Sequence, residues 1–474
     1  MKKIMKKLNL LLLAALAVIT FGCKDDDNGP DNPLPEPTPS NQVVVQGNIT
    51  SNTTWESGKT YLLKGKIYVQ SPAVLTIPAG TKIFGDKASQ ATLIINRGAK
   101  IMAEGTASSP IIFTSNAPVG YRNRGDWGGI VILGKATNNK STDVTIEGVT
   151  GTSGDDGKHG GSDDADNSGK LKFVRIEFAG IPLADDNELN SLTMGSVGSG
   201  TEISNVMVSY ANDDAFEWFG GTVNASYLIA TSTWDDDFDT DLGYRGKVQF
   251  GYIQRDPDFA DKSGSRAFEC SGNKDNAAAT PASAPKFANV TVAGPLVYTN
   301  YSSTSNYNGN YRAAIEMNEG TRVEIYNSLI MGFPTSAQYN TSSAAGAVVL
   351  SDIFFIHNGT TSLSGTNANA TTTNLTFGGN GLAIANSLVD LYAGVDTAKA
   401  NRKNNATATA SALNFTNPVP VLKSTSALTS GAPSLTAKGF TASPAYYGAF
   451  GSAADAGWNW TSGWINFDPI NAAY

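Results

Sequence analysis

The stretch Asn212–Ile253, NDDAFEWFGGTVNASYLIATSTWDDDFDTDLGYRGKVQFGYI, states one pattern twice. An acidic pair leads within two residues to a phenylalanine followed by an acid: Asp213-Asp214 before Phe216-Glu217-Trp218, then Asp235-Asp236 before Phe238-Asp239-Thr240. Each triplet is followed by a six-residue unit that begins and ends with an apolar side chain, VNASYL (Val223–Leu228) and VQFGYI (Val248–Ile253). Strand side chains alternate, so the first and third residues of each triplet point one way and the acid between them the other.

Both units recur outside this stretch. The hexamer appears as ISNVMV (Ile203–Val208), FANVTV (Phe287–Val292), IYNSLI (Ile325–Ile330) and IANSLV (Ile384–Val389), with LKFVRI (Leu171–Ile176) as an earlier member. Asn holds the third place at Asn205, Asn289, Asn327 and Asn386, where stacked amides can form a ladder. The triplet recurs as Leu192-Thr-Met, Phe268-Glu-Cys and Ile315-Glu-Met, and inserts such as Asp275–Pro285 and Asn300–Gly309 lengthen the later repeats. Nearer the N-terminus LTIPAGTKI (Leu75–Ile83) returns eighteen residues later as LIINRGAKI (Leu93–Ile101). No long stretch has the 3.6-residue period of helices. Self-similarity of this kind predicts an all-β solenoid, a right-handed parallel β-helix with ladders of like residues along its axis. A β-sandwich would not produce columns in register.

LTIPAGTKIFG, INRGAKIMAEGTASSPIIFTS, RGDWGGIVILGKA, NDDAFEWFGGTVNASYL and DDDFDTDLGYRGKVQF resemble a largely uncharacterised family of β-helical surface lipoproteins of Bacteroidota, within the pectin-lyase-like group. That group includes polysaccharide lyases, hydrolases, adhesins and passive scaffolds, so the resemblance implies a fold and leaves the chemistry to the site.

The register puts Glu217, Asp239, Glu269 and Glu316 in one outward column begun by Thr193, and Asp214, Asp236 and Arg266 in a second, two residues earlier. Carboxylates on adjacent coils about 4.8 Å apart repel by roughly 0.9 kcal/mol in water and roughly 3.5 kcal/mol at an effective dielectric of twenty. Such a row needs solvent, arginine or a bridging cation. Ca2+ suits an all-oxygen set outside the cell, and Asp214, Glu217, Asp236, Asp239 and Glu269 are the expected ligands. A self-contained EF-hand is excluded, because Leu242 stands at its sixth position and Val248 at its twelfth. The other reading is a hydrated ridge with Arg245 and Arg266 as ion-pair partners. Pectate-lyase-type β-elimination resembles this layout and implies Arg266 as the base that takes the proton α to a uronate carboxyl. The paired aspartates also resemble hydrolases of this fold, but those carry a glycine-flanked histidine, and neither His159 nor His357 has that setting; His159 reads as part of a flexible acidic insert.

The N-terminus carries an address. Residues 1–22 combine four lysines with an apolar run, Leu8–Phe21, too short to span a bilayer, and read as a secretory signal. The ending resembles a lipobox with Cys23 as the lipidated residue, and Lys24-Asp25-Asp26-Asp27 resembles the export signal of surface lipoproteins. Residues 23–42 read as a Pro-rich tether and 43–474 as one β-helix domain. Without residues 1–22, 30 basic groups face 42 acidic ones, a net charge near −12 that disfavours nucleic acid. With Cys23 acylated, Cys270 has no disulfide partner. Among the aromatics near the acidic columns or on inserts (Trp127, Trp218, Trp234, Tyr244, Tyr301, Tyr307, Tyr311), any exposed ring can stack on a sugar, whereas Trp218 belongs to the core. Trp458, Trp460 and Trp464 read as a cap over an open end. The expected function is a rigid binding platform on the outer membrane, accessory to TonB-dependent uptake through a receptor or a polysaccharide ligand. The alternative is a calcium-dependent polyuronate lyase.

Overall fold

Among the described residues the chain winds in coils whose strands form three parallel faces. A computed structural model describes residues 41–146, 148–149, 154–184, 187–297, 307–340, 347–356, 360–364, 370–373, 376–378, 392–393, 421–422, 426–455 and 460–474. The described residues lie in the unit Pro39–Tyr474. Ten parallel strands make the first face, from Lys66–Val69 through Leu192–Val197, Phe216–Gly221, Phe238–Asp241, Phe268–Cys270 and Ala313–Met317 to Thr360–Ser364. The other two faces are joined in a sixteen-stranded sheet. From Gly169–Glu177 onward its long strands serve both: Lys170–Lys172 pair with Met102–Glu104 on one face, and Val174–Ile176 with Ile111–Phe113 on the other.

The corner between those halves has a chemical signature. One residue per coil drops out of register with positive φ: Phe173 (50°), Asn205 (54°), Tyr227 (60°), Phe250 (63°), Asn289 (53°), Asn327 (47°) and Asp352 (58°). Asn and Asp tolerate this left-handed conformation, which explains their return at the third place of the hexamer. The amides do not ladder with one another among the described residues. Asn289 instead donates to the Tyr446 carbonyl (3.3 Å) and Asn327 to that of Pro433 (2.9 Å). The last hexamer, Ile384–Val389, lies outside the described residues.

The predicted columns are in place. Leu192, Phe216, Phe238, Phe268 and Ile315 are consecutive partners and are all fully buried inside the coil. Each large side chain so buried contributes roughly 1.5–3 kcal/mol. Beside them Thr193, Glu217, Asp239, Glu269 and Glu316 are partners on the outer side. Two phases differ from expectation. Ala225, not Val223, pairs with Ile203 and Val248, so VNASYL starts two residues early. Leu75 pairs with Ile101 and Leu93 with Ile67, so LTIP and LIIN sit on different faces, and the eighteen-residue echo is not the coil length.

The C-terminal segment is a strap along the side of the helix rather than a cap over its end. As it advances it passes successively earlier coils. Gly448 donates to the Asn327 carbonyl (2.8 Å), Phe450 packs on Tyr252, Trp460 on Tyr227 and the fully buried Trp464 on Phe173. Arg122 then donates to the carbonyls of Pro469 and Ala472, and Tyr474 donates to Glu177. The outer face of these coils is apolar at Met207, Ile229, Tyr252 and Leu329, and the strap removes it from water. Trp458 and Tyr301 lie outside the described residues.

Candidate metal centre on the ten-stranded face

The acidic residues converge at the N-terminal ends of the strands of this face. A ladder of side chain to backbone bonds builds the turn there. The Asn190 amide oxygen accepts from the Asp214 N–H (3.2 Å), Asp214 from that of Asp236 (2.8 Å) and Asp236 from that of Arg266 (2.5 Å). One oxygen of each aspartate is thereby committed to structure. Asn190 stands two residues before Leu192 as Asp214 does before Phe216, so the same spacing could have revealed it.

Three consecutive aspartates in this turn have three fates. Asp237 points inward and pairs with Arg255 (3.1 Å), both side chains being 0% exposed. Arg255 also donates to the Asp235 carbonyl (2.6 Å), so this buried pair fixes the turn from inside. Asp236 serves the ladder and faces Arg266 (3.4 Å). Asp235 turns to the outer cluster, where its carboxylate accepts from Ser263 (2.8 Å).

Two triads of carboxylates share Asp214. The oxygens of Asp213, Asp214 and Asp235 lie within 4.8 Å of one another, as do those of Asp214, Glu217 and Asp239. The structure thus unites three of the five expected ligands, Asp214, Glu217 and Asp239, and adds Asp213 and Asp235. Asp236 and Glu269 turn toward Arg266 instead. Arg266 is held from every side: by both Glu316 oxygens (2.6 and 3.2 Å), Glu269 (2.9 Å), Asp236 and the Gly264 carbonyl (2.6 Å). Asn318 donates to the other oxygen of Glu269 (2.8 Å), and Asn340 donates to Glu316 Oε1 (2.7 Å), which Arg266 also holds. One end of the column therefore has an arginine among its carboxylates and the other does not.

The end without arginine is partly withdrawn from water. Asp214 and Glu217 are buried and Asp239 is half-buried. Arg245 does not relieve it, because it pairs with Asp164 (2.8 Å). Burial, then the charges of Asp213, Asp239 and Asp235, pushes the Asp214 carboxyl far above the usual range. Glu217 and Asp239 rise for the same two reasons, and Asn190 donates to Glu217. Burial brings Asp235 to about 7. The Asp239 Oδ1 atom is buried with no hydrogen-bond partner. All-oxygen, with the buried, unpartnered Asp239 Oδ1 atom among its donors, this set fits a hard divalent cation such as Ca2+.

His159 is distant from this end. It belongs to the insert hairpin and is fully buried at the far end of the strands, where its Nδ1 meets Ser196 Oγ (2.8 Å). The expected flexible insert is a cover here, with Asp156 and Asp166 also buried. His357 lies outside the described residues. Cys270 is buried and free.

Residues 47–465 match the family described as the pectate-lyase like beta helix domain. No curated protein matches the chain. Among solved structures, the crystal structure of Dettilon tailspike protein is similar to 67% of this chain at 10% identity and a TM-score of 0.24. The similarity spans 61% of that protein's chain, less than two thirds of its length.

Proposed function

We propose, since this chain belongs to the pectate-lyase-like β-helix family, that it is a cation-dependent protein of acidic polysaccharides with lyase-type chemistry. The observation that carries this is the pair of carboxylate triads sharing Asp214, with the buried, unpartnered oxygen of Asp239 among them. Asp213, Asp214, Asp235, Glu217 and Asp239 would hold the cation. An ion such as Ca2+ held there would supply positive charge to attract a uronate carboxylate and acidify the hydrogen α to it. In β-elimination that proton passes to a base, the C–O bond to the next sugar breaks with its electron pair on the leaving oxygen, which takes up a proton, and an unsaturated uronate remains.

A second reading, binding without cleavage, is favoured by Arg266. A guanidinium clamped by Glu316, Glu269 and Asp236 holds its protons more tightly than usual. To act as base it must first lose one, against three surrounding carboxylates. One experiment separates the readings. The purified protein is incubated with polyuronates in Ca2+ or chelator, following ultraviolet absorbance of unsaturated ends and, in parallel, binding. Calcium-dependent product that vanishes in Asp239→Asn supports the lyase. Calcium-dependent binding without product supports the platform, and binding indifferent to calcium rejects the cation site.

We further infer a cell-surface lipoprotein anchored through Cys23 and accessory to a TonB-dependent receptor. The signal-like segment, the cysteine and the acidic run Lys24–Asp27 support this reading. Replacement of Lys24–Asp27 by alanine should leave the protein acylated but shielded from external protease on whole cells; unchanged cleavage would reject the export signal.

A further inference from the structure

The aromatic residues singled out in the sequence sort sharply by burial. Trp127, Trp218, Tyr244 and Tyr311 are buried. Trp234 is half-buried, and it directly precedes Asp235 of the carboxylate cluster. The fold gathers Tyr210 and Phe259, also half-buried, beside it. Trp234 and Phe259 have ring centroids 5.6 Å apart at 48°. Arg124 lies among all three rings, with its guanidinium carbon 3.9 Å from the Phe259 centroid, 5.1 Å from Tyr210 and 6.0 Å from Trp234. It is itself nearly buried and fixed by two hydrogen bonds to the Ser232 carbonyl (3.0 and 2.8 Å).

A core cluster would hide these rings, and a surface accident would not invest a buried arginine in orienting them. Cation–π contacts to a fixed guanidinium hold the rings in place before any ligand arrives. A chain of polar contacts then ties the indole to the acids. Its N–H donates to Asp261 (3.0 Å), Asp261 accepts from the Ser263 N–H (2.7 Å), and the Ser263 hydroxyl donates to Asp235 (2.8 Å). Rings and carboxylates are thus two parts of one rigid corner.

We propose that Trp234, Phe259 and Tyr210 form a stacking subsite for a pyranose ring of the acidic polysaccharide, next to the residue held at the carboxylate cluster. A sugar presents an apolar C–H face to a ring and keeps its hydroxyls toward water, which a half-buried ring beside polar loops permits. The subsite rests on the polysaccharide reading above and adds to it the contact that grips the chain independently of charge. It also gives the corner a direction, since a polymer lying across it must pass from the rings to the acids.

Binding is measured by calorimetry with oligomers of galacturonate, mannuronate and guluronate, in Ca2+ and in chelator, for the wild type, Trp234→Ala, Trp234→Phe and Phe259→Ala. Each variant is first checked for an unchanged circular dichroism spectrum and melting. Loss of a ring should weaken the best oligomer about tenfold, the equivalent of one stacking contact. Trp234→Phe, which keeps a ring, should stay within about threefold. Wild-type affinity in Trp234→Ala and Phe259→Ala, with calcium dependence intact, overturns the subsite alone. Equal wild-type affinity in calcium and chelator, with both alanine variants weakened, overturns the cation site alone. No binding by any oligomer overturns both.

Discussion

Asp237 carries the largest stake of any single residue. Its carboxylate and the Arg255 guanidinium are both fully buried, so removing one leaves a charge with no water to turn to. Asp237→Ala should destabilise the protein by about 3–5 kcal/mol, read from denaturant unfolding. A loss under about 1 kcal/mol would mean the pair is not closed in solution. The clustered carboxylates give a pH signature whose sign is fixed. Burial raises Asp214, Glu217, Asp236 and Asp239 well above the usual range and takes Asp235 and Asp241 to about 7. The folded chain then binds protons that the unfolded chain, titrating near 4, still releases. Stability contributed by protonation is therefore gained as pH falls from about 7 toward about 4, and lost as it rises again. His159 acts oppositely. Burial, with Arg97 nearby, holds it down to about 3, so below about 6.5 the unfolded chain takes a proton that the fold refuses. In chelator the melting temperature should rise between pH 7.5 and 5.5. In saturating Ca2+, which keeps the triads ionised, the rise should be smaller, because Asp236 and Asp241 still take protons while His159 opposes them. Parallel slopes in the two conditions would contradict a cation at the triads.

At the level of elements, the positive-φ corner decides how the long strands bend. Asn327 combines a tolerated left-handed backbone with a bond to the strap. Asn327→Gly should cost least, Asn327→Ala about 1–2 kcal/mol, and Asn327→Val most, because a branched Cβ suits this conformation worst. An equal cost for all three would show that the bond alone matters. The corner was half visible in the sequence. Asn at the third place of the hexamer marked it, but Tyr227 and Phe250 occupy the same place through stacking on each other (4.9 Å), which no local preference announces. The inward column from Leu192 to Ile315 was fully legible, since alternation and like residues in register leave one solution. The site was legible as to its face, not its membership. Whether an acid serves a cation, a ladder or an arginine depends on contacts between coils. Hence Asp236 and Glu269 went to Arg266, while Asp213 and Asp235 joined the cluster.

For the whole molecule the strap matters most. Trp464 is fully buried between the strap and Phe173, so Trp464→Ala should cost about 3–5 kcal/mol although it lies far from the carboxylates. Its effect on calcium-dependent binding, measured below the lowered melting point, should be small; a large loss would show that the strap shapes the site. A bare solenoid is a row of dominoes, in which each coil leans only on its neighbours and an end can peel away without disturbing the middle. Here the tail is stitched backward from Asn327 to Glu177, joining coils that are not themselves neighbours. Loosening a coil near either anchor therefore strains the seam for its full length. Heating should produce one sharp calorimetric event in the intact chain, and a broad, multi-step melt once the seam is cut after residue 425.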